Sequence, residues 1–88
     1  MLRKTIRVTN KLGLHARPSA LVVKAATKYR SDFFIEKNGM KVNGKSIMGV
    51  MMLAAECGSV LELSADGVDE EYLLEEIEAL IAAGFGED

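Results

Sequence analysis

The segment LGLHARPSAL contains the chain's one histidine, His15, and its one proline, Pro18, with Arg17 between them. A neutral imidazole is a nucleophile, and an arginine guanidinium forms paired hydrogen bonds with phosphate oxygens. Proline is favoured in the first turn of a helix, so the segment predicts a helix that begins at Ala16 with His15 as its N-cap. Ser, Thr, Asp and Asn are the stabilising N-caps, and a histidine there indicates a position kept for chemistry.

The start of this predicted helix also favours a bound anion. The first N–H groups of a helix have no acceptor inside it, and the helix dipole adds positive charge at that end. We therefore expect the backbone N–H groups of Ala16 and Arg17 to form an anion site beside the His15 ring. The positive surroundings favour the neutral, nucleophilic ring. These residues indicate a histidine that accepts a phosphate; the alternative is a turn histidine beside a chance Arg-Pro pair.

Three basic residues, Arg17, Lys24 and Lys28, fall close to one line along the same helix. A basic line of this kind is commonly a solvated face. Beside an anion site it also has the right sign to steer an acidic partner.

A second segment, GKSIMGVMMLAA, predicts a short helix over residues 47–53 with Ser46 as its N-cap. The helix is apolar all round, so it is either fully buried or partly exposed as a docking patch. If Val50 and Leu53 face the core, the exposed side chains are Ile47, Met48 and Met51. A phosphate on Ser46 would lie at the helix N-terminus, preserve the fold and repel an acidic partner.

The elements that must hold these segments follow from hydrophobic periodicity. Strands are predicted over residues 2–9 and 59–66, and a hairpin over 32–44 with its turn at Asn38-Gly39. The first helix is predicted to extend to about Tyr29, and Asp69 is predicted to cap a strongly amphipathic last helix. The tail GFGED is predicted at most as a frayed end. The order strand, helix, strand, strand, helix, strand, helix favours an α+β layer, one sheet covered on one side by helices.

Composition excludes several classes of protein. We expect one domain over residues 1–88, because the length is below that of a typical domain. A net charge of −2, no Trp and few aromatics argue against nucleic-acid binding. No signal core and no apolar run near the roughly 20 residues of a membrane span are found, so we expect a cytoplasmic protein without membrane insertion. The single cysteine, Cys57, is read as a small packing residue, and one His with one Cys argues against a zinc site.

Two longer segments of the chain resemble the HPr family, the histidine phosphocarriers of the bacterial phosphoenolpyruvate:sugar phosphotransferase system. They are GLHARPSALVVKAA and VNGKSIMGVMMLAA, about thirty residues apart. The resemblance implies an open-faced β-sandwich, a four-stranded antiparallel sheet with three helices on one face (βαββαβα). It implies that Nδ1 of His15 accepts a phosphoryl group from enzyme I and passes it to an enzyme IIA, with Arg17 stabilising the phosphate. It further implies that Ser46 is a site for HPr kinase/phosphorylase.

The resemblance also assigns the docking surface for enzyme I and the IIA domains. That surface comprises Ala16, Ala20, Lys24, Ile47, Met48 and Met51. A protein of this kind is a carrier rather than a turnover enzyme, so we expect no cofactor and no bound metal, and a monomer.

Two alternatives remain. Within the family, the chain is alternatively a regulatory, nitrogen-branch phosphocarrier without a role in sugar transport. From a different class, it is an interaction domain that uses the same patch but no longer passes phosphate. The presence of both His15 and Arg17 argues against the second alternative.

Overall fold

The computed structural model describes residues 1–86, which form four strands and three α-helices. In chain order these are β1 (Leu2–Arg7), α1 (Ala16–Ala26), β2 (Asp32–Lys37), β3 (Met40–Asn43), α2 (Ile47–Met52), β4 (Val60–Asp66) and α3 (Glu70–Ala82), and a short 3₁₀ turn, Gly84–Gly86, follows. The predicted order of elements is confirmed. Strand β1, helix α1 and helix α2 end one to three residues earlier than the sequence pattern predicts.

The strands form one antiparallel sheet in the order β1-β4-β2-β3. Alternation along the central strand β4 explains its two faces. Leu61, Leu63 and Ala65 are fully buried beneath the helices, whereas Val60 and Glu62 point to the uncovered face. The α+β layer and the open-faced four-stranded sheet are therefore as predicted.

One core lies between the sheet and the helices, and it consists of aliphatic and phenylalanine side chains from every layer. Its largest fully buried members are Phe33, Ile35, Leu61, Leu63, Leu73, Leu74, Ile77 and Ile81. The 3.6-residue period of the sequence selects these four positions of α3 and a fifth, Leu80, which is only partly buried against the core.

Lys4 breaks the alternation of β1 because it falls on the helix-facing side of the strand. Its ammonium donates to a carboxylate oxygen of Glu78 on α3 at 3.1 Å. Since β1 is at the edge of the sheet, the side chain passes the rim of the core and keeps its charge solvated.

Asp69 occupies the N-cap position of α3, but its side chain makes no capping hydrogen bond, so the predicted capping role is wrong. Its carboxylate instead accepts from the backbone N–H groups of Arg30 and Ser31, both at 2.9 Å, and from the Ser31 hydroxyl. The start of α3 is supported by Glu70, whose carboxylate accepts from the Gly67 N–H at 3.0 Å. Asp69 thus clamps the α1–β2 turn to α3.

The prediction of a frayed tail is wrong for residues 84–86. Phe85 is 3 % exposed and belongs to the core, with a left-handed backbone (φ +58) between Gly84 and Gly86. Residues 87 and 88, the rest of that predicted tail, lie outside the described residues.

Cys57 is exposed, and its Sγ lies 3.7 Å from the carbonyl oxygen of Thr9. The interpretation of this cysteine as a small packing residue is therefore wrong. It lies in the irregular segment between α2 and β4, where the sequence offers no periodicity from which burial can be inferred.

Candidate functional site

His15 is the N-cap of α1, as predicted. Its backbone is extended (φ −80, ψ −168), and its carbonyl accepts the first helical hydrogen bond, from the Ser19 N–H at 3.0 Å. The half-buried side chain makes no capping hydrogen bond to the helix. The imidazole is therefore carried at the positive end of α1 without serving as its cap.

The loop before His15 is held on both sides. The Asn10 side chain donates to the carbonyl of Gly13 at 2.8 Å, and the N–H of Leu14 donates to the carbonyl of Ala55 at 2.8 Å. The buried hydroxyl of Ser19 donates to the carbonyl of Leu14 at 3.1 Å. These hydrogen bonds fix the position of the backbone that carries the His15 imidazole.

Gly13 makes this arrangement possible. Its φ is +66, and a Cβ there would lie 2.1 Å from the carbonyl oxygen of Ala55. Only a glycine combines that backbone with so close an approach. The Gly13-Leu14 dipeptide is thereby joined to the segment that follows α2.

Arg17 lies in the first turn of α1 and is exposed. Its guanidinium donates through Nη1 to the carbonyl of Phe85 at 3.4 Å. The 3₁₀ turn that follows α3 therefore reaches the start of α1 and orients the cation. The sequence analysis did not identify this role of Phe85. An aromatic residue shortly after an amphipathic helix is the one signal from which it could have been inferred.

The helix α2 exposes the side chains that its pattern predicts. Val50 is fully buried and Leu53 is 5 % exposed, whereas Ile47 is 44 %, Met48 75 % and Met51 43 % exposed. Met52, at 65 %, and Leu12, at 72 %, are further exposed apolar side chains that the sequence reasoning missed. The fully buried alternative for this helix is excluded.

The structure brings this apolar patch next to α1, because α1 and α2 pack against each other. Ala16, Ala20 and Lys24, the other residues of the expected docking surface, are all exposed on α1. The nine predicted site residues thus lie on the two neighbouring helices and at their N-caps.

Ser46 is the N-cap of α2, and its hydroxyl accepts from the Gly49 N–H at 3.1 Å. The residue is half-buried, with its backbone extended. The predicted cap is confirmed. A phosphate on this oxygen would stand at the N-terminal end of the helix that carries the exposed methionines.

The basic line along α1 is partly neutralised. The ammonium of Lys28 and the hydroxyl of Tyr29 both donate to the carboxylate of Glu76 on α3. The Lys28 hydrogen bond, followed by that of Tyr29, lowers the pKa of the Glu76 carboxyl. Lys28 therefore joins the turn after α1 to α3, and Arg17 and Lys24 are the members of the basic line that lie within α1 itself.

Within residues 1–86, no cluster of three or more His, Cys, Asp or Glu side chains has the arrangement of a metal site. Among the same residues, no helix is both long enough and apolar enough to cross a membrane.

Comparison with known families identifies the chain over nearly its whole length. Residues 2–83 match the family model described as the PTS HPr component phosphorylation site. The chain belongs to the HPr family. Among curated members, it is 49 % identical over 88 residues to the phosphocarrier protein HPr of Treponema pallidum, covering all of both chains. It is 47 % identical over 81 residues to the HPr-like protein Crh of Bacillus subtilis, covering 92 % of this chain and 95 % of Crh.

Solved HPr structures have the same fold. HPr-C-His from Thermoanaerobacter tengcongensis superposes with a TM-score of 0.97 at 49 % identity, covering 100 % of this chain and 99 % of that one. An HPr dimer from the same organism gives a TM-score of 0.80 at 49 % identity, covering 99 % of this chain and 100 % of that one. Since a relative at this identity is a dimer, membership of the HPr family does not by itself determine oligomeric state.

Proposed function

We propose that this HPr-family protein carries a phosphoryl group on Nδ1 of His15, accepting it from phosphorylated enzyme I and passing it to an enzyme IIA. The observation that carries the proposal is the placement of His15. The one histidine of a chain that matches the HPr family model occupies an N-cap without capping the helix.

The chemistry is an in-line displacement between two imidazoles. The lone pair of neutral His15 attacks the phosphorus of a protonated phosphohistidine on the donor. As the new P–N bond forms, the donor's P–N bond breaks, and the donor nitrogen keeps the electron pair. Each ring retains the proton on its other nitrogen, so charge and atoms balance without a cofactor.

The start of α1 supplies the charge for this transfer. The helix dipole and the first backbone N–H groups, those of Ala16 and Arg17, favour the phosphate anion. The Arg17 guanidinium, oriented by its bond to Phe85, adds a permanent cation at that end of the helix. Positioning and electrostatic stabilisation account for most of the acceleration in phosphoryl transfer, which is consistent with so small a site.

Docking of the partners is assigned to the exposed faces of α1 and α2. Ile47, Met48 and Met51 offer adaptable apolar contact, and Lys24 offers a cation that favours an acidic partner. Ala16 and Ala20 leave room for close approach of the partner around His15. The surface therefore combines exposed apolar side chains on α2 with a cation on α1.

The decisive experiment is phosphorylation by phosphoenolpyruvate and enzyme I. We expect an acid-labile phosphate on the wild-type protein, none on His15→Ala, and slower labelling of Arg17→Ala, by about 10²-fold. Labelled protein should then lose its phosphate to an enzyme IIA. Wild-type protein that takes up no label would exclude the carrier function.

Regulation at Ser46 follows from its position at the N-terminus of α2. We expect HPr kinase/phosphorylase with ATP to give an acid-stable phosphate that is absent from Ser46→Ala. Because acidic groups are favoured at a helix N-terminus, Ser46→Asp should bind enzyme I more weakly with little change in melting temperature. Unchanged binding, or a large fall in melting temperature, would contradict this role.

Similarity to relatives does not separate the transport function from the regulatory, nitrogen-branch alternative: the chain is 47 % identical to the HPr-like protein Crh of Bacillus subtilis and 49 % identical to the HPr of Treponema pallidum. The choice of acceptor distinguishes the two functions: transfer to a sugar-specific IIA favours transport, and transfer only to a nitrogen-branch IIA favours regulation. We propose a cytoplasmic, single-domain carrier that acts as a monomer. Sedimentation at micromolar concentration tests the monomer against the dimer seen in a relative.

A further inference from the structure

Lys37, the last residue of β2, is bonded to the turn that follows α2. The side chain is half-buried, and its ammonium donates to the carbonyl oxygens of Leu53 and Ala54, each at 3.2 Å. The last carbonyls of a helix have no partner inside it and favour a cation. Helix α2 has no basic residue in its own last turn, so Lys37 supplies that cation from the sheet.

The turn is strained at Ala54, where φ is +48. A residue with a Cβ is disfavoured in this left-handed region, and such a conformation persists only where other contacts hold it. Since Lys37 bonds the carbonyl of Ala54 and the one before it, its ammonium is one of the contacts that stabilise the turn.

The next residue, Ala55, joins the turn to the loop that carries His15. Its carbonyl accepts the Leu14 N–H at 2.8 Å, and Gly13 packs directly against the same oxygen. Ala55 and Leu14 are 3 % and 4 % exposed, so neither shifts without disturbing the core. A displacement of Ala55 must therefore displace Leu14 and, with it, the backbone of His15.

We propose that Lys37 is a positioning residue for His15. By holding the α2–β4 turn, it sets where the imidazole stands relative to the docking face of α2. The inference rests on the proposed carrier function. A partner that docks on Met48 and Met51 contacts α2. The turn that ends α2 leads into Ala55, which is hydrogen-bonded to Leu14, the residue before His15. The docked partner therefore meets the imidazole in a defined position.

The reaction kinetics distinguish positioning from docking. With this protein as the varied substrate of enzyme I, Lys37→Met should lower kcat about tenfold, because misplacement of a reacting group by 1 Å can cost about 10²-fold. KM should change by less than about twofold, since the docking side chains are intact. Lys37→Arg, which can donate to both carbonyls, should restore kcat.

Lys41→Met is the matched control. Lys41 is a cation on the adjacent strand β3, and its ammonium lies 4.8 Å from the centre of the Phe34 ring, on the uncovered face of the sheet. Its removal should leave kcat and KM unchanged. A wild-type kcat in Lys37→Met, or a raised KM with unchanged kcat, would overturn the proposal.

A double variant separates positioning from stability. Glycine adopts positive φ without strain, so Lys37→Met/Ala54→Gly should regain the stability that Lys37→Met loses, while its freer turn leaves kcat low. Recovery of kcat together with stability would show that Lys37 acts only through folding. This variant also decides the question if Lys37→Met alone fails to fold.

Hydrogen exchange of the Leu14 amide tests the connection without any partner. Exchange should be faster in the double variant than in Ala54→Gly alone, and unchanged in Lys41→Met relative to wild type. If enzyme I phosphorylates neither the wild type nor any variant, the proposed carrier function is excluded. The exchange measurement would still test the structural connection between Lys37 and Leu14. Equal exchange of Leu14 with and without Lys37 would overturn the inference.

Discussion

At the scale of the residue, His15 is positioned by backbone contacts rather than by neighbouring side chains alone. Its loop is joined to the segment after α2 through the Leu14–Ala55 hydrogen bond, and Gly13 permits the close approach. A nucleophile on a short loop is otherwise free to move, and positioning contributes much of the acceleration in such a transfer. Gly13, which carries no functional group, therefore helps to position His15, the proposed nucleophile.

We predict that Gly13→Ala lowers the free energy of unfolding by about 2–4 kcal/mol, because it combines a strained φ with a clash against the Ala55 carbonyl. The matched control is Gly39→Ala in the β2–β3 turn, where φ is +85 but no atom lies within 4 Å of the new Cβ. This control should cost only about 1 kcal/mol of strain. Urea unfolding of both variants measures the difference, and equal losses would show that the contact with Ala55 is unimportant.

At the scale of the element, the helices are held at their ends by groups from other elements. Asp69, at the start of α3, accepts three hydrogen bonds from the turn after α1, and Glu76 on α3 accepts from Lys28 at the beginning of the same turn. The Ser31 hydroxyl, and after it the Arg30 N–H, lowers the pKa of the Asp69 carboxyl from 3.8 to about 2. The carboxylate form is therefore the one that stabilises the fold.

This shift predicts an acid-dependent loss of stability. Since the folded pKa lies below the unfolded one, the contribution of Asp69 is present above about pH 4 and is lost as the pH falls towards 2. We expect Asp69→Asn to be less stable than wild type at neutral pH, with the difference shrinking over that interval. Urea midpoints measured from pH 7 to pH 2 test it, with the exposed Glu71→Gln as the control, and a difference independent of pH would contradict the assignment.

At the scale of the whole molecule, the turn after α3 packs into the core and contacts the start of α1. Phe85 is buried beyond α3, and its carbonyl accepts from Arg17 at the start of α1. The hydrogen bond of Arg17 at the proposed phosphate site and the packing of the turn after α3 thus involve the same residue. If the proposed function is correct, stability and phosphoryl transfer are coupled through this carbonyl.

We predict that Phe85→Ala costs about 3 kcal/mol, the lower end of the range for an aromatic residue removed from a core. It should also slow phosphorylation of His15, because the turn that orients Arg17 is released. Tyr72→Ala, which removes an aromatic that is 66 % exposed, is the control and should change stability by less than about 1 kcal/mol. A stable Phe85→Ala protein with unaltered labelling would refute the coupling.

The sequence by itself determined the elements, the N-cap position of His15 and the exposure of Met48 and Met51 on α2. These depend on local rules: the preference of proline for a first helical turn, the period of apolar residues and the hydrogen-bonding habits of capping side chains. The family resemblance rests on the same two segments, and the match over residues 2–83 agrees with it.

Only the tertiary structure decided which groups hold those elements in place. Asp69 clamps a turn instead of capping a helix, Phe85 is core instead of frayed end, and Cys57 is exposed. Lys37 reaches the end of α2 from another element. No local pattern predicts these contacts, because each joins residues far apart in the chain and depends on how the sheet and helices pack. The sequence therefore pointed to His15 as the proposed reactive residue, and tertiary packing determined how its backbone is held.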